Sequence, residues 1–87
     1  MNTSDEIESG LLQLIAASDP AFTVSEQAEV QHFVDVGEYG LALETAVGIF
    51  AEEHKIASQE VRDLVGRLAK LMELDAAGLL RGLDRAN

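Results

Sequence analysis

The stretch SQEVRDLVGRLAKLM, residues 58–72, decides the fold class of this chain. Its apolar residues recur at the three- and four-residue intervals that mark one face of an α-helix. That face carries Val61, Leu64, Val65, Leu68, Leu71 and Met72. Ser58 is a favourable N-cap, and Asp63 and Arg67 are spaced for an ion pair across one helical turn. The stretch therefore predicts an amphipathic helix over residues 59–73.

Helical periodicity continues on both sides of this stretch, and no segment shows the strict alternation of a half-buried strand. Ser4, Thr23 and Asp75 are predicted N-caps. Glu26 is predicted to complete a capping box with Thr23, although Ser25 could cap this helix instead. Gly37 is predicted to end the second helix in the left-handed conformation. The predicted helices cover residues 5–18, 24–36, 38–54, 59–73 and 76–84. Because 87 residues leave room for one domain, we expect an all-α, small single-domain bundle of four to five helices over residues 1–87.

The third predicted helix is apolar around most of its circumference, which is typical of a helix at the centre of a bundle. Its core side carries Tyr39, Ala42, Leu43, Ala46, Val47 and Phe50. Its other side carries Leu41, Thr45, Gly48 and Glu52. Since Gly48 has no side chain, another backbone could approach closely there. The sequence leaves open whether that backbone belongs to this chain or to a partner.

Charge is divided unequally along the chain. Residues 1–54 contain eleven Asp and Glu side chains and no Lys or Arg, whereas residues 55–87 contain six basic and five acidic side chains. The formal net charge of −10 therefore belongs almost wholly to the N-terminal part. Such a field attracts a cationic partner and repels nucleic acid, so we expect no nucleic-acid binding. The alternative is that the acidic surface only keeps the protein soluble.

Few residues in this chain could carry out catalysis. The chain has no Cys, and its serines lie mostly at predicted helix starts, where a hydroxyl serves as a cap. Glu29 and His32 have the spacing of the Glu-x-x-His motif in carboxylate-bridged di-iron bundles. Such a site needs a second motif of this kind, but His54 has Ala51 three residues before it. We predict no catalytic residue, no cofactor and no metal, and keep a metal-dependent bundle enzyme at Glu29 and His32 as the least favoured alternative.

The first residues and the hydropathy of the chain bear on its location. The N-terminal sequence MNTSDE is acidic where a signal peptide would be basic. No apolar run approaches the length needed to span a membrane. The lack of Cys suits a reducing compartment. We therefore expect a cytoplasmic protein without membrane contact.

The sequence FVDVGEYGLALE, residues 33–44, resembles a segment of the MafI-type family of bacterial immunity proteins. The similarity extends over about half of the chain, residues 30–75, and GEYGLALE is its most specific part. Two weaker features agree, the SQE helix start at residues 58–60 and the LMELD segment at residues 71–75, in which Glu73 replaces the more usual Gly or Lys. The resemblance implies a small acidic cytoplasmic helical protein that neutralises a cognate toxin of a contact-dependent or polymorphic toxin system. The toxin is expected to be basic, often a nuclease, and the inhibitor to have no active site.

Acidic residues on and beside the third helix are the candidate contacts for such a partner. The predicted partner-binding residues are Asp35, Glu38, Glu44, Glu52 and Glu53. The GEYGLALE motif itself is either scaffold or, through Glu38, Tyr39 or Glu44, part of the contact. A second hypothesis is a homodimerisation or protein-interaction module without a toxin partner. Such a module would use the Leu41, Thr45 and Gly48 side of the third helix or a leucine-rich tail at residues 79–83.

Overall fold

The computed structural model describes residues 2–84, and these residues form five α-helices and no strand. The helices are α1 (Thr3–Ala17), α2 (Val24–Asp35), α3 (Tyr39–Glu52), α4 (Gln59–Leu71) and α5 (Ala76–Asp84). The prediction of a small all-α bundle is therefore confirmed. Each predicted helix is present, and its ends lie within two residues of the predicted ends.

The first helix begins two residues earlier than predicted, because Asn2 caps it in place of Ser4. The Asn2 side chain accepts a hydrogen bond from the backbone N–H of Asp5 at 2.8 Å. Asparagine caps a helix as well as serine does, and capping from Asn2 adds about half a turn. The prediction of Ser4 as the cap was wrong for this reason.

Two other predicted helix starts are confirmed. Thr23 and Glu26 form a capping box, in which each side chain accepts a hydrogen bond from the other residue's backbone N–H, at 3.1 and 2.9 Å. The Ser58 hydroxyl accepts a hydrogen bond from the backbone N–H of Val61 at 3.2 Å. These bonds satisfy amide groups that the first turn of a helix leaves without partners.

The predicted ion pair on α4 is not formed. The Asp63 carboxylate accepts a hydrogen bond from the Gln59 side-chain amide at 2.8 Å and does not contact Arg67. Ion pairs between exposed side chains contribute little in water, so a neighbouring amide competes well with the guanidinium. Within residues 2–84 the ion pairs are Lys55 with Glu26 and Arg62 with Asp84.

Helix α3 lies at the centre of the bundle and packs against all four other helices, as its apolar circumference predicted. Helix α2 lies beside α3 across a short turn, α1 packs mainly on α4, and α5 spans α3 and α4. The buried side chains of α3 are Ala42, Leu43, Ala46, Val47, Ile49 and Phe50. Phe22, in the loop between α1 and α2, packs against Phe50 with ring centroids 4.9 Å apart.

The C-terminal helix α5 belongs to the same core. Leu83 is fully buried, and Leu79 and Leu80 pack against the core from partly buried positions. The leucine-rich tail therefore packs on the bundle, and the hypothesis that its partly exposed Leu79 and Leu80 contact a second copy stays a prediction. The leucines already have apolar partners within the chain, and exposing them would forfeit that burial.

Two helix crossings depend on glycine. A Cβ atom on Gly10 of α1 would lie 2.7 Å from Cδ2 of Leu68, and one on Gly82 of α5 would lie 2.9 Å from Cγ1 of Val47. Both partners are buried, so neither side chain can move freely out of the way. The missing side chains therefore let α1 approach α4, and α5 approach α3, more closely than alanine would allow.

We expect Gly10→Ala and Gly82→Ala each to lower the free energy of unfolding by about 1 kcal/mol, since overpacking outweighs the gain in helix propensity. Gly66→Ala is the matched control, because a Cβ there would meet only Leu80 Cδ1 at 4.0 Å. It should raise stability through helix propensity alone. Urea unfolding followed by circular dichroism measures all three. Equal stabilisation by the three substitutions would contradict the close crossings.

Helices α2, α3 and α4 end in the same type of left-handed turn. The turn residues are Gly37 (φ 78°), His54 (φ 53°) and Glu73 (φ 58°). After each, a backbone N–H bonds to the carbonyl oxygen five residues earlier: Glu38 to Phe33, Lys55 to Phe50 and Leu74 to Ala69, at 2.8, 3.0 and 2.8 Å. This is the Schellman arrangement, in which glycine is the favoured turn residue. The prediction for Gly37 is confirmed, whereas His54 and Glu73 adopt a conformation that is unfavourable for a residue with a Cβ atom.

Glu73→Gly is expected to raise the free energy of unfolding by about 0.5–1 kcal/mol, because it relieves the left-handed strain at the end of α4. Gly37→Ala should lower stability by about 1 kcal/mol, since it introduces the same strain at the end of α2. The two variants are compared by denaturant unfolding at constant pH and salt. A loss of stability in Glu73→Gly would mean that the glutamate side chain itself stabilises the turn.

Candidate partner-binding surface

The largest share of the negative charge lies on α2, α3 and their connections, and residues 2–23 carry four further carboxylates and no Lys or Arg. Residues 24–53, which we call the acidic hairpin, contain seven carboxylates and no Lys or Arg. These are Glu26, Glu29, Asp35, Glu38, Glu44, Glu52 and Glu53. Residues 59–84, which form α4 and α5, contain five carboxylates and four basic side chains. The hairpin therefore carries the larger part of an unbalanced negative charge that it shares with α1 and the loop after it.

Most carboxylates of the acidic hairpin face solvent without a cation. Glu26 alone is partly buried, and its carboxylate lies 3.5 Å from Lys55 Nζ. The other six are exposed, and none is ion-paired to a residue that the structure describes. Asp35 accepts a hydrogen bond from the Gln31 side chain at 2.8 Å, which leaves its charge intact. Six negative charges are thus available to a partner.

A shallow groove runs along the exposed side of α3 next to α2. It is lined by Glu29, Glu44, Thr45, Gly48, Ile49 and Glu52, and we call it the α2–α3 groove. A second depression, lined by Glu44, Leu74, Asp75, Gly78 and Leu79, lies on the other side of Glu44. Glu44 therefore lies on a ridge between two depressions, each bordered by a further carboxylate.

The five predicted contact residues occupy a strip along α3 and do not form one cluster. Glu44 and Glu52 border the α2–α3 groove. Asp35 and Glu38 lie at the turn between α2 and α3, and Glu53 lies at the C-cap of α3. Since an α-helix rises 1.5 Å per residue, Glu38 and Glu53 are separated by about 22 Å along the axis. A partner that contacts all five must extend along the whole helix.

Two acidic residues of this surface were not among the predicted contacts. Glu29 comes from the middle of α2, and Asp75 from the segment before α5. A signal for Glu29 was present in the sequence. In an antiparallel helical hairpin, residues at equal distances from the turn lie opposite each other, and Glu29 and Thr45 are equally far from Gly37. Asp75 had no such signal, because its position depends on how α4 and α5 pack on α3.

The GEYGLALE motif is divided between scaffold and surface. Gly37 forms the turn, Leu43 is fully buried, and the half-buried Tyr39 donates a hydrogen bond from its hydroxyl to Glu8 Oε1 at 3.3 Å. Loss of solvent around the phenol, followed by the charge of Glu8, raises the pKa of Tyr39. Tyr39 is therefore tied to α1, whereas Glu38 and Glu44 remain exposed.

The geometry does not assemble the metal site considered as an alternative. Glu29 and His32 are both exposed on α2 and do not point into the bundle core. Across residues 2–84, no group of three or more His, Asp or Glu side chains is placed to hold a metal ion. A carboxylate-bridged di-metal bundle needs such a group inside the core.

The fold and this surface define a small five-helix bundle with one acidic, exposed hairpin. None of the helices described is both long enough and apolar enough to cross a membrane. Comparisons of the chain with protein-family models, curated proteins and solved structures found no match.

Glu26 connects the acidic hairpin to the loop that follows it. Its carboxylate accepts a hydrogen bond from the Thr23 backbone N–H and lies close to Lys55. The Thr23 hydrogen bond is the main reason why the pKa of Glu26 is lowered, and the positive charge of Lys55 contributes. Because folding lowers the pKa of Glu26, its ionised carboxylate stabilises the folded state at pH values above the pKa that this group has in the unfolded chain. This contribution is lost as the pH falls through the folded-state pKa.

Glu26→Gln should therefore be less stable than the native protein at neutral pH, because glutamine retains the capping box but loses the charge. This difference should shrink as the pH falls below the ordinary pKa of glutamate and disappear only below the lowered folded-state pKa, where the native carboxylate is also protonated. Glu53→Gln removes the same charge at an exposed position and is the control for general repulsion. Unfolding midpoints measured from neutral to acidic pH test this, and a pH-independent difference would contradict it.

Proposed function

We propose that this chain is an immunity protein that neutralises a cognate bacterial toxin by direct stoichiometric binding through its acidic helical surface. The observation that carries the proposal is the acidic hairpin, on which six exposed carboxylates have no cation within the described chain. Such a surface has electrostatic complementarity only to a positively charged partner. The resemblance of residues 33–44 to MafI-type immunity proteins supports a toxin as that partner.

Inhibition requires no chemistry from this chain. A toxin that acts on nucleic acid holds phosphates in a cationic cleft, and the carboxylates of the hairpin would compete for the same positive charges. Complementary fields raise the association rate, and close packing after the encounter sets the lifetime of the complex. The affinity would then come from a few well-packed anchors within the charged surface.

Protection of growing cells tests the proposal directly. The chain is co-expressed with the C-terminal domain encoded by the neighbouring gene, and growth is compared with that of cells carrying the domain alone. Restored growth together with a one-to-one complex on size-exclusion chromatography with light scattering supports the proposal. Continued growth arrest, with the chain folded and expressed, would rule out this domain as its target.

Charge reversal should locate the contact. The variant Glu38→Lys, Glu44→Lys, Glu52→Lys is expected to bind the toxin domain about 10- to 100-fold more weakly at low salt, with a flatter dependence on salt. The helical circular-dichroism signal should persist, because all three side chains are exposed. The charge-matched control reverses Glu6, Glu60 and Asp63, which are exposed on α1 and α4. Equal weakening by both triple variants would remove the hairpin from the interface.

A further inference from the structure

We infer that the α2–α3 groove seats a positively charged segment of the partner protein, whose backbone passes directly over Gly48. The inference rests on the proposed function and goes beyond it by naming where the partner binds and what it carries. It also selects one occupant over another, because a second copy of this chain has the wrong charge for the groove.

Gly48 is a helix-interior glycine that the fold itself does not require. A glycine within a helix costs about 1 kcal/mol relative to alanine. At Gly10 and Gly82 a close helix crossing explains that cost, whereas a Cβ atom on Gly48 would meet no heavy atom within 4 Å. The open space above Gly48 lies in the groove, so the missing side chain leaves room for a chain from outside.

The α3 residues beside Gly48 form a helix face that the rest of the described chain covers only in part. Leu41 keeps 46% of its surface exposed, although it belongs to the central helix of the bundle. Thr45 is half-buried at the edge of the groove. Apolar and hydroxyl groups at this position give a partner a surface to pack against after electrostatic attraction has brought it near.

The charge around this face identifies its occupant. Glu29, Glu44 and Glu52 border the groove, and none is ion-paired within residues 2–84. Glu52 also lies in the last turn of α3, where the helix dipole is unfavourable for a carboxylate. A two-fold dimer through this groove would bring two such sets of carboxylates together, and like charges at close range oppose association. Arginine or lysine side chains relieve the same repulsion, so a cationic segment is the complementary occupant.

A defined peptide tests the groove independently of any toxin. The probe is an alanine-based helical peptide with arginine at every fourth position, titrated into the isotopically labelled full chain at low salt and followed by NMR. The largest amide shifts are expected at Glu44, Thr45, Gly48 and Glu52, and they should vanish when salt is added. Shifts centred on α1 and α4, shifts spread evenly over the acidic residues, or no binding would overturn the inference.

Gly48→Leu separates the groove from the stability of the fold. The substitution fills the space above α3 and favours the helix, so the melting temperature should rise while peptide affinity falls about tenfold. Ser9→Leu adds the same bulk at an exposed position of α1 and should leave peptide affinity unchanged. Native affinity in Gly48→Leu would overturn the inference. Growth protection tests the proposed function separately. If the native chain protects cells but Gly48→Leu binds the peptide with native affinity, the proposed function stands and only the groove is excluded as the binding site.

Discussion

The burial of α3 is the constraint on which the rest of the structure depends. Because this helix packs against all four others, six of its side chains form the centre of the core. Only one side of α3 remains for solvent, and the Gly37 turn sets α2 beside it. Glu29 of α2 is thereby brought to the same groove as Glu44 and Glu52 of α3. A fold that buries its central helix this completely leaves a single exposed face of that helix on which binding residues can lie.

Local signals in the sequence predicted the helices well, and tertiary packing limited the prediction of the surface. Periodicity, the Thr23 capping box and Gly37 each act within a few residues, so the helices they define follow directly from the sequence. The cap of α1 was mistaken because Asn2 and Ser4 are equally good candidates two residues apart. Glu44 and Glu52 were predicted as contacts because they are acidic residues of the third helix, and both border the α2–α3 groove. Glu29 could have been placed beside them from the Gly37 turn, whereas Asp75 joins them only through the packing of α4 and α5 on α3, which a sequence pattern does not specify.

Several residues near the exposed side of α3 are not those that would stabilise the fold most. Gly48 weakens a helix without an internal reason, His54 holds a left-handed conformation that suits glycine, and Glu52 and Glu53 add negative charge where the α3 dipole is already negative. Elsewhere, Gly10 and Gly82 show that helix-interior glycines in this chain can serve close packing. Departures from local stability that lack a structural compensation are expected at functional sites. Gly66 of α4 and Glu73 at its end depart from local stability in the same way, so these residues agree with the α3 surface but do not single it out.

The unpaired carboxylates also link the stability of the bundle to binding. In the free chain they repel one another, which lowers the free energy of unfolding. A cationic partner removes this repulsion in the folded state alone, so binding stabilises the bundle by mass action. Salt screens both effects, and it therefore acts in opposite directions on the free protein and on the complex. It relieves repulsion within the hairpin and raises the stability of the free chain, while it weakens the attraction on which capture of the partner depends. Under the proposed function, the same carboxylates thus lower the stability of the free protein and supply the attraction toward a cationic partner.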